Sequence, residues 1–511
     1  MSMMTVAAAR TMAAVAACMS STTHAATKMP FWPQYPTRTL AILNGEWDFG
    51  YLDNVPDAIN FDIKNAVFNE SMSVPAAFDV AQPGVMGPRG TAFYRRQFDL
   101  SPNHKGLLYF AACSFYCRVF VDGQALGDHR AGGYQAFWMH VPASTNHTRE
   151  LVVLVDNRFN ATTAPTHTGG DFYHYSGITR DVILHEVPAE TFILQVETFT
   201  LSLHGDIKVR VVLGGDTSVS AVNLNLTFDG TSTKAFSQVP VTNGVAVLAN
   251  VSVPNAKLWS PASPHLHTLT VAINNRADAV QVRFGVRLVT VGSDARVHIN
   301  GERIKLLGFN RHTMWPDTGS ALTLDQVQRD VAILVDVGAN YVRGAHYPQD
   351  QRFLDLCDEH GIMVWEETLG PGVTVKDLTS PYWMRYQLQA VNEMISASIN
   401  HPSVIFHAFY NEGPSDNPAA CPGYNASASA IRARVGSPPS RLVTWASDTR
   451  TNDVCLHIAD VVSFNDYPAW YNHPGDIKYP KIFWQTQVDW VKKHFPGPHG
   501  GGDGVMCVYE V

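Results

Sequence analysis

His401-Pro402-Ser403-Val404-Ile405-Phe406-His407-Ala408-Phe409-Tyr410-Asn411-Glu412 is the stretch that decides the fold. Val404 to Tyr410 is a short, nearly unbroken apolar run, which predicts a strand buried on both faces, as in a parallel sheet. A Glu at the carboxyl end of such a strand stands where parallel α/β barrels carry their chemistry. A carboxyl half-sunk in an apolar rim is expected to stay protonated near neutral pH and to act as a general acid.

Around this run, from about residue 289 onward, apolar segments alternate with helix-like ones. Strands are predicted near 304–310, 341–346, 363–368, 404–412, 442–448, 461–467 and 504–510. Helical spacing covers Leu324 to Val337, with Asp325 near its start and Gly338 just past its end, and also Gln349 to His360 and Tyr382 to Ile399. Strand–helix repetition predicts a (β/α)8 TIM barrel over 289–511, incomplete at about seven strands. Upstream, short strands broken by Pro, Gly and Asn predict two β-sandwiches, over 30–187 and 188–288.

Composition narrows the function. The chain has 511 residues, 45% hydrophobic and 11% aromatic, with net charge -8. That is long enough for several domains with their own cores. There is no Lys/Arg stripe for nucleic acid, and no apolar run of membrane-spanning length. Residues 1–26 read as a secretory signal cleaved near Ala26, or alternatively as a transit peptide. Sequons at Asn69, Asn146, Asn160, Asn225, Asn250 and Asn425 fit a secreted or lysosomal protein. Of the seven Cys, Cys18 would leave with the signal. The others form neither a disulfide framework nor a zinc pattern. Cys113 and Cys117 are read as buried strand residues, while Cys421 and Cys455 could pair across a loop.

Many ordered motifs resemble glycoside hydrolase family 2, closest to its β-glucuronidase branch. Asn300 to His312 (NGERIKLLGFNRH), Asn340 to Pro348 (NYVRGAHYP) and Met363 to Thr368 (MVWEET) resemble its first three barrel strands. Asn400 to Glu412 resembles the fourth strand, and Asn465 to Asp476 (NDYPAWYNHPGD) the end of the sixth. Asn44 to Phe49, Val74 to Phe78, Gly132 to Phe137 and Asp171 to Ile178 match in the amino-terminal half. The resemblance runs from about residue 30 to about 495. It implies a jelly-roll first domain of a sugar-binding type, an immunoglobulin-like second domain and a catalytic barrel.

It also implies a retaining exo-β-glycosidase acting on terminal β-linked sugars, β-glucuronides first. Two carboxyl groups about 5–5.5 Å apart do this chemistry. Glu412 matches the acid/base, and Asn411 the residue that bonds the sugar 2-hydroxyl. The nucleophile position is open. Either Val505 to Tyr509 is the seventh strand and Glu510 the nucleophile, or the tail after Phe495 is unrelated sequence and the chain is a truncated version. The seventh helix, eighth strand and eighth helix are expected to be absent, which would expose apolar surface at the open seam.

Other matches carry expected roles. Tyr467 would bond the nucleophile carboxylate. Tyr471 would help hold a glucuronate carboxylate, and His346 would touch the sugar. Asp171 would enter the pocket from the first domain. Glu367 is the pocket acid that orients its neighbours, and Arg343 a buried partner for a pocket carboxylate. Glu366 is read as non-catalytic, with Asn310, Arg311 and His312 as supports. Asn-Arg-His in the first strand, where many β-glucuronidases have a Lys-His-Glu-Asp-like run, keeps β-galactosidase open as an alternative. A non-catalytic carbohydrate-binding protein is the rival from another class. No cofactor and no metal ligands are expected. The partner is a β-glycoside or glycan, with homo-oligomers possible.

Overall fold

The computed structural model describes residues 28–80, 87, 89–159, 172–187, 190–216, 218–436, 440–494 and the backbone of Gly504–Val508. The signal-like segment, Asn160, Asp171 and Glu510 lie outside the described residues.

The first domain is a jelly-roll-like sandwich. One six-stranded sheet runs in the order Glu70–Val74, Gly45–Leu52, Thr91–Asp99, Thr148–Asp156, Tyr116–Val121, Gln124–His129. A four-stranded sheet, Thr39–Ile42, Val182–Val187, Lys105–Phe110, Phe137–Val141, faces it. Thr148–Asp156 explains why its sequence is apolar without alternation. Leu151, Val153 and Val155 fill the sandwich core, while Val152 and Leu154 lie under a second layer formed by Val55, Ala58 and their neighbours. With both faces covered, period-two alternation carries no advantage.

The second domain is an immunoglobulin-like sandwich of seven strands, from Thr191–Thr200 to Asp278–Phe284. Here the alternation is clean: along Asp206–Gly215, Ile207, Val209, Val211 and Leu213 enter the core. Its exit is tied to the barrel by Arg287. This fully enclosed guanidinium donates to the carbonyls of Pro402, Val404 and Ser440, each at 2.6 Å.

The barrel strands are β1 (Gly308–Arg311), β2 (Tyr341–Gly344), β3 (Met363–Glu367) and β4 (Val404–Ala408). β5 is Leu442–Thr444, continuing as Ala446–Ser447, followed by β6 (Val461–Asn465) and β7 (Gly504–Val508). All pair parallel with their sequence neighbours, and Thr444 Oγ1 bonds the Val461 carbonyl at 2.7 Å across the break in β5. Among the described residues β1 and β7 are not paired with each other, so the sheet is nearly but not fully closed. The apolar side chains of Leu307 and Phe309 beside this seam are exposed, as are Ile333, Val335 and Val337 on the first barrel helix.

The helices start and stop for local reasons. α1 (Leu324–Asp336) opens on a Thr323/Gln326 capping box, and Gly338 at φ +73° lets the chain turn away. α2 (Gln351–His360) is capped by Asp350 and ends at Gly361 in the left-handed region. α3 (Pro381–Ser398) begins with Pro just inside its first turn, behind Ser380. α4 (Cys421–Val435) and α5 (Tyr479–His494) follow. No helix among the described residues is long and apolar enough to cross a membrane.

The cysteine reading needs one correction. Cys113 and Cys117 are buried, as expected, but they are bonded to each other. The four-residue separation crosses the turn into Tyr116–Val121, a local closure that strand periodicity gives no hint of. Cys421 and Cys455 also form a disulfide, joining α4 to the loop before β6, and Cys357 is a buried free thiol.

Candidate active site

Period-two alternation sorts β3 into two sets. Val364 packs into the layer under the helices, and Trp365 into the barrel interior. Glu367 therefore shares the inner face with Trp365, and Glu366 points the other way. Glu366 is buried, accepts from the Gln349 backbone N–H at 3.1 Å, and is pushed up in pKa by burial. It belongs to the scaffold.

The inner face is organised around Arg343 at the end of β2, which has no exposed surface. Its Nε and Nη2 reach the two Glu367 oxygens at 3.2 Å each. Nη2 also donates to Asn411 Oδ1 at 2.6 Å, and Nη1 to Asn465 Oδ1 at 3.0 Å. Glu367 further receives Trp365 Nε1 at 2.5 Å and lies 2.6 Å from His346 Nδ1. Burial alone would raise the Glu367 carboxyl, but the Arg343 charge and the His346 contact outweigh it and hold it at about 2. A compensated ion pair thus sits under the pocket.

β4 ends at Ala408, four residues before Glu412. The connecting turn places Tyr410 at φ +54° and Glu412 at φ +52°, backbone states that cost non-glycine residues about 1–3 kcal/mol each. Packing holds the turn: Tyr410 is fully buried with its hydroxyl 2.8 Å from Ser427 Oγ, and Glu412 N–H donates to the Ala446 carbonyl at 2.9 Å. The consequence is a split dipeptide. Asn411 is buried against Arg343, whereas Glu412 is exposed. This corrects the expected half-buried apolar setting of Glu412. Its fixed neighbour is polar: Asn465 Nδ2 donates to Glu412 Oε1 at 2.8 Å and to Asn411 Oδ1 at 2.9 Å. Asn465 was not singled out from sequence, although a polar residue closing the apolar run Val461 to Phe464 was a usable signal.

The first domain supplies one wall. Phe172, next in sequence to Asp171, packs its ring 4.7 Å from His312 and 5.8 Å from His346. Tyr134 stacks on Tyr347 at 3.8 Å and 6°. Enclosed Arg180 donates to the Tyr134, Pro348 and Gln349 carbonyls at 2.9, 2.9 and 3.2 Å. The loop carrying His346 is thereby clamped to the jelly-roll. Arg311 instead holds Asp330 and Gln349, and Asn310 makes no side-chain hydrogen bond among the described residues. On the far side Tyr467 is half-buried, edge-on to the exposed Tyr471 at 5.4 Å, next to exposed Trp470. β7 aligns Val508 with Asn465, two residues before Glu510.

No metal was expected, but Asp355, Asp358 and His401 do bring ligand-type atoms within 4.8 Å of one another. Arg283 already supplies the cation there, 2.8 Å from Asp355 and 3.7 Å from Asp358. That cluster is an ion-pair joint between the second domain and the barrel.

Comparison with known proteins decides the family. The glycosyl hydrolases family 2 TIM barrel domain model matches residues 289–498, and a second family 2 model matches residues 191–287. The chain belongs to glycosyl hydrolases family 2. A putative beta-glucuronidase of Formosa agariphila is 29% identical to this family 2 chain over 391 residues, 74% of this chain and 46% of that protein. A beta-galactosidase of Thermoanaerobacter pseudethanolicus is 27% identical over 460 residues, 86% of this chain and 59% of the other. The chain thus spans about half the length of these two relatives. Among solved structures, a family 2 β-galacturonidase from Eisenbergiella tayi, bound to galacturonate, superposes with TM-score 0.79 at 26% identity. That match covers 92% of this chain and 81% of the other.

Proposed function

We propose that this family 2 protein is a retaining exo-β-glycosidase that removes terminal β-linked sugars, with β-glucuronides as its first substrate class. The observation that carries the reading is the Arg343–Glu367–Asn411–Asn465–Glu412 network, assembled from the ends of β2, β3, β4 and β6. Glu412 protonates the glycosidic oxygen as the bond to the anomeric carbon breaks, then takes a proton from the attacking water. Asn411 bonds the sugar 2-hydroxyl. Glu510 is assigned as the nucleophile that forms the glycosyl-enzyme. The support is the parallel run of β7 beside β6 and the register of Val508 with Asn465. Asp171, His346, Tyr467 and Tyr471 are assigned to sugar contact. Relatives named as beta-glucuronidases and a β-galacturonidase support an acidic sugar. The relative named as a beta-galactosidase keeps neutral galactosides as the second reading.

The test compares release of 4-nitrophenol from its β-glucuronide and β-galactoside. Glucuronide preference with loss of turnover in Glu412→Gln supports the reading. Equal, unchanged turnover in the variant rejects Glu412.

A secreted or lysosomal location is part of the same proposal. It is supported by two disulfides, which persist in oxidising compartments, and by exposed sequon asparagines at Asn69, Asn146, Asn250 and Asn425. Homo-oligomerisation is proposed from the exposed apolar side chains of α1, and sedimentation of the purified chain checks it.

A further inference from the structure

A cavity of about 390 Å³ lies where the two sandwiches and the barrel helices meet, and no residue of the Arg343 network bounds it. Its size is that of a small-molecule site, and domain junctions are a common place for one. One wall is aromatic. Trp138 packs 4.7 Å from Tyr109 and 6.4 Å from Tyr35, and Trp32 and Phe137 extend the surface.

The lining also carries amides that are each fastened at one end. Gln389 Nε2 donates to Glu393 Oε1 at 2.8 Å, and Gln195 Nε2 to the Ser396 carbonyl at 2.6 Å. Gln351 Oε1 lies 3.1 Å from His401 Nε2. The other ends, Gln389 Oε1, Gln195 Oε1 and Gln351 Nε2, have no partner among the described residues. Gln351 is only 7% exposed and its amide is oriented by the His401 contact, while its unpaired donor stays open to solvent. Most polar groups on the wall have partners: Glu393 lies 2.8 Å from His129 Nε2, Arg283 2.8 Å from Asp355, and Asp128 2.5 Å from Arg130. A ligand here meets an apolar ring surface, fixed amides and side chains that already hold partners.

We propose that this junction cavity binds a neutral sugar of one or two rings. The ring's C–H face lies on the Trp138–Tyr109 surface, and its hydroxyls engage the Gln351, Gln389 and Gln195 amides. The site is separate from the barrel pocket and does not depend on the glycosidase reading.

The test titrates the full chain with maltose, galactose and N-acetylglucosamine, read by tryptophan fluorescence and by saturation-transfer NMR. Maltose is α-linked, so β-glycosidase turnover does not consume it. The expected result is saturable binding of at least one probe, weakened about tenfold by Gln351→Leu and by Gln389→Leu, and unchanged by Asn411→Ala. Melting curves check that the variants fold. Gln389→Leu, on the cavity side of α3, carries the test if Gln351→Leu is unstable. No saturable binding of any probe overturns the proposal. So does binding that Asn411→Ala abolishes and both cavity variants retain, which would place the sugar in the barrel.

Discussion

Asn465 Nδ2 holds Glu412 Oε1 at 2.8 Å while the same amide reaches Asn411 Oδ1 at 2.9 Å. One side chain from β6 therefore sets the relative position of the two residues assigned to the proton and the 2-hydroxyl.

Asn465→Ala frees the Glu412 carboxylate to rotate. Loss of such an orienting partner is expected to lower kcat about 10- to 100-fold with a smaller change in KM. Steady-state kinetics on the preferred 4-nitrophenyl glycoside check this. A change confined to KM would count against a positioning role.

Arg343→Met leaves Glu367 as an enclosed carboxylate without its counter-charge. The expected loss is about 3–5 kcal/mol of stability, partly recovered by adding Glu367→Gln. Denaturant unfolding of the two singles and the double variant closes the cycle.

Glu367 also gives an acid signature. Its carboxyl is held at about 2 in the fold, against an ordinary 4.5. A depressed carboxyl stabilises above the unfolded value and loses that contribution as pH falls toward the folded one. The window is about pH 4.5 down to 2, and the size of order 3 kcal/mol. Glu367→Gln should be less stable at pH 7, with a shallower decline across that window in pH-dependent unfolding curves.

Arg180→Met releases the His346 loop from the jelly-roll without touching the Arg343 network. Turnover should fall about tenfold or more, while the pH profile keeps its shape because no titrating pocket group is altered. A lower melting temperature with unchanged kcat would make Arg180 purely structural.

Cys421→Ser opens a disulfide that spans 34 residues. The chain-entropy estimate for a loop of that size is about 3–4 kcal/mol. The drop in unfolding stability on adding reductant should be larger in the parent than in Cys421→Ser by a similar amount, since both keep the Cys113–Cys117 bond.

The barrel was legible because its signals are local. Apolar strands, the Thr323 cap and Gly338 each act within a few residues, and α1 falls within one residue of its expected span. The pocket was legible only through resemblance. That Glu412 emerges exposed while Asn411 is buried depends on two left-handed residues, and nothing in Phe409-Tyr410-Asn411 announces them. The polar end of β6 is visible in the sequence, but the role of Asn465 is set by partners 53 and 54 residues away that no local pattern names. The Cys113–Cys117 bond was missed because strand periodicity is silent about a turn.

Phe172 and Arg180 make the sandwich a co-owner of the pocket. An isolated barrel, even one that folded, would present its carboxylates beneath a missing wall. If the proposed glycosidase reading holds, changes in the loops of a domain that bears no acid/base residue can retune which sugars are admitted, while the strands that carry the chemistry stay as they are.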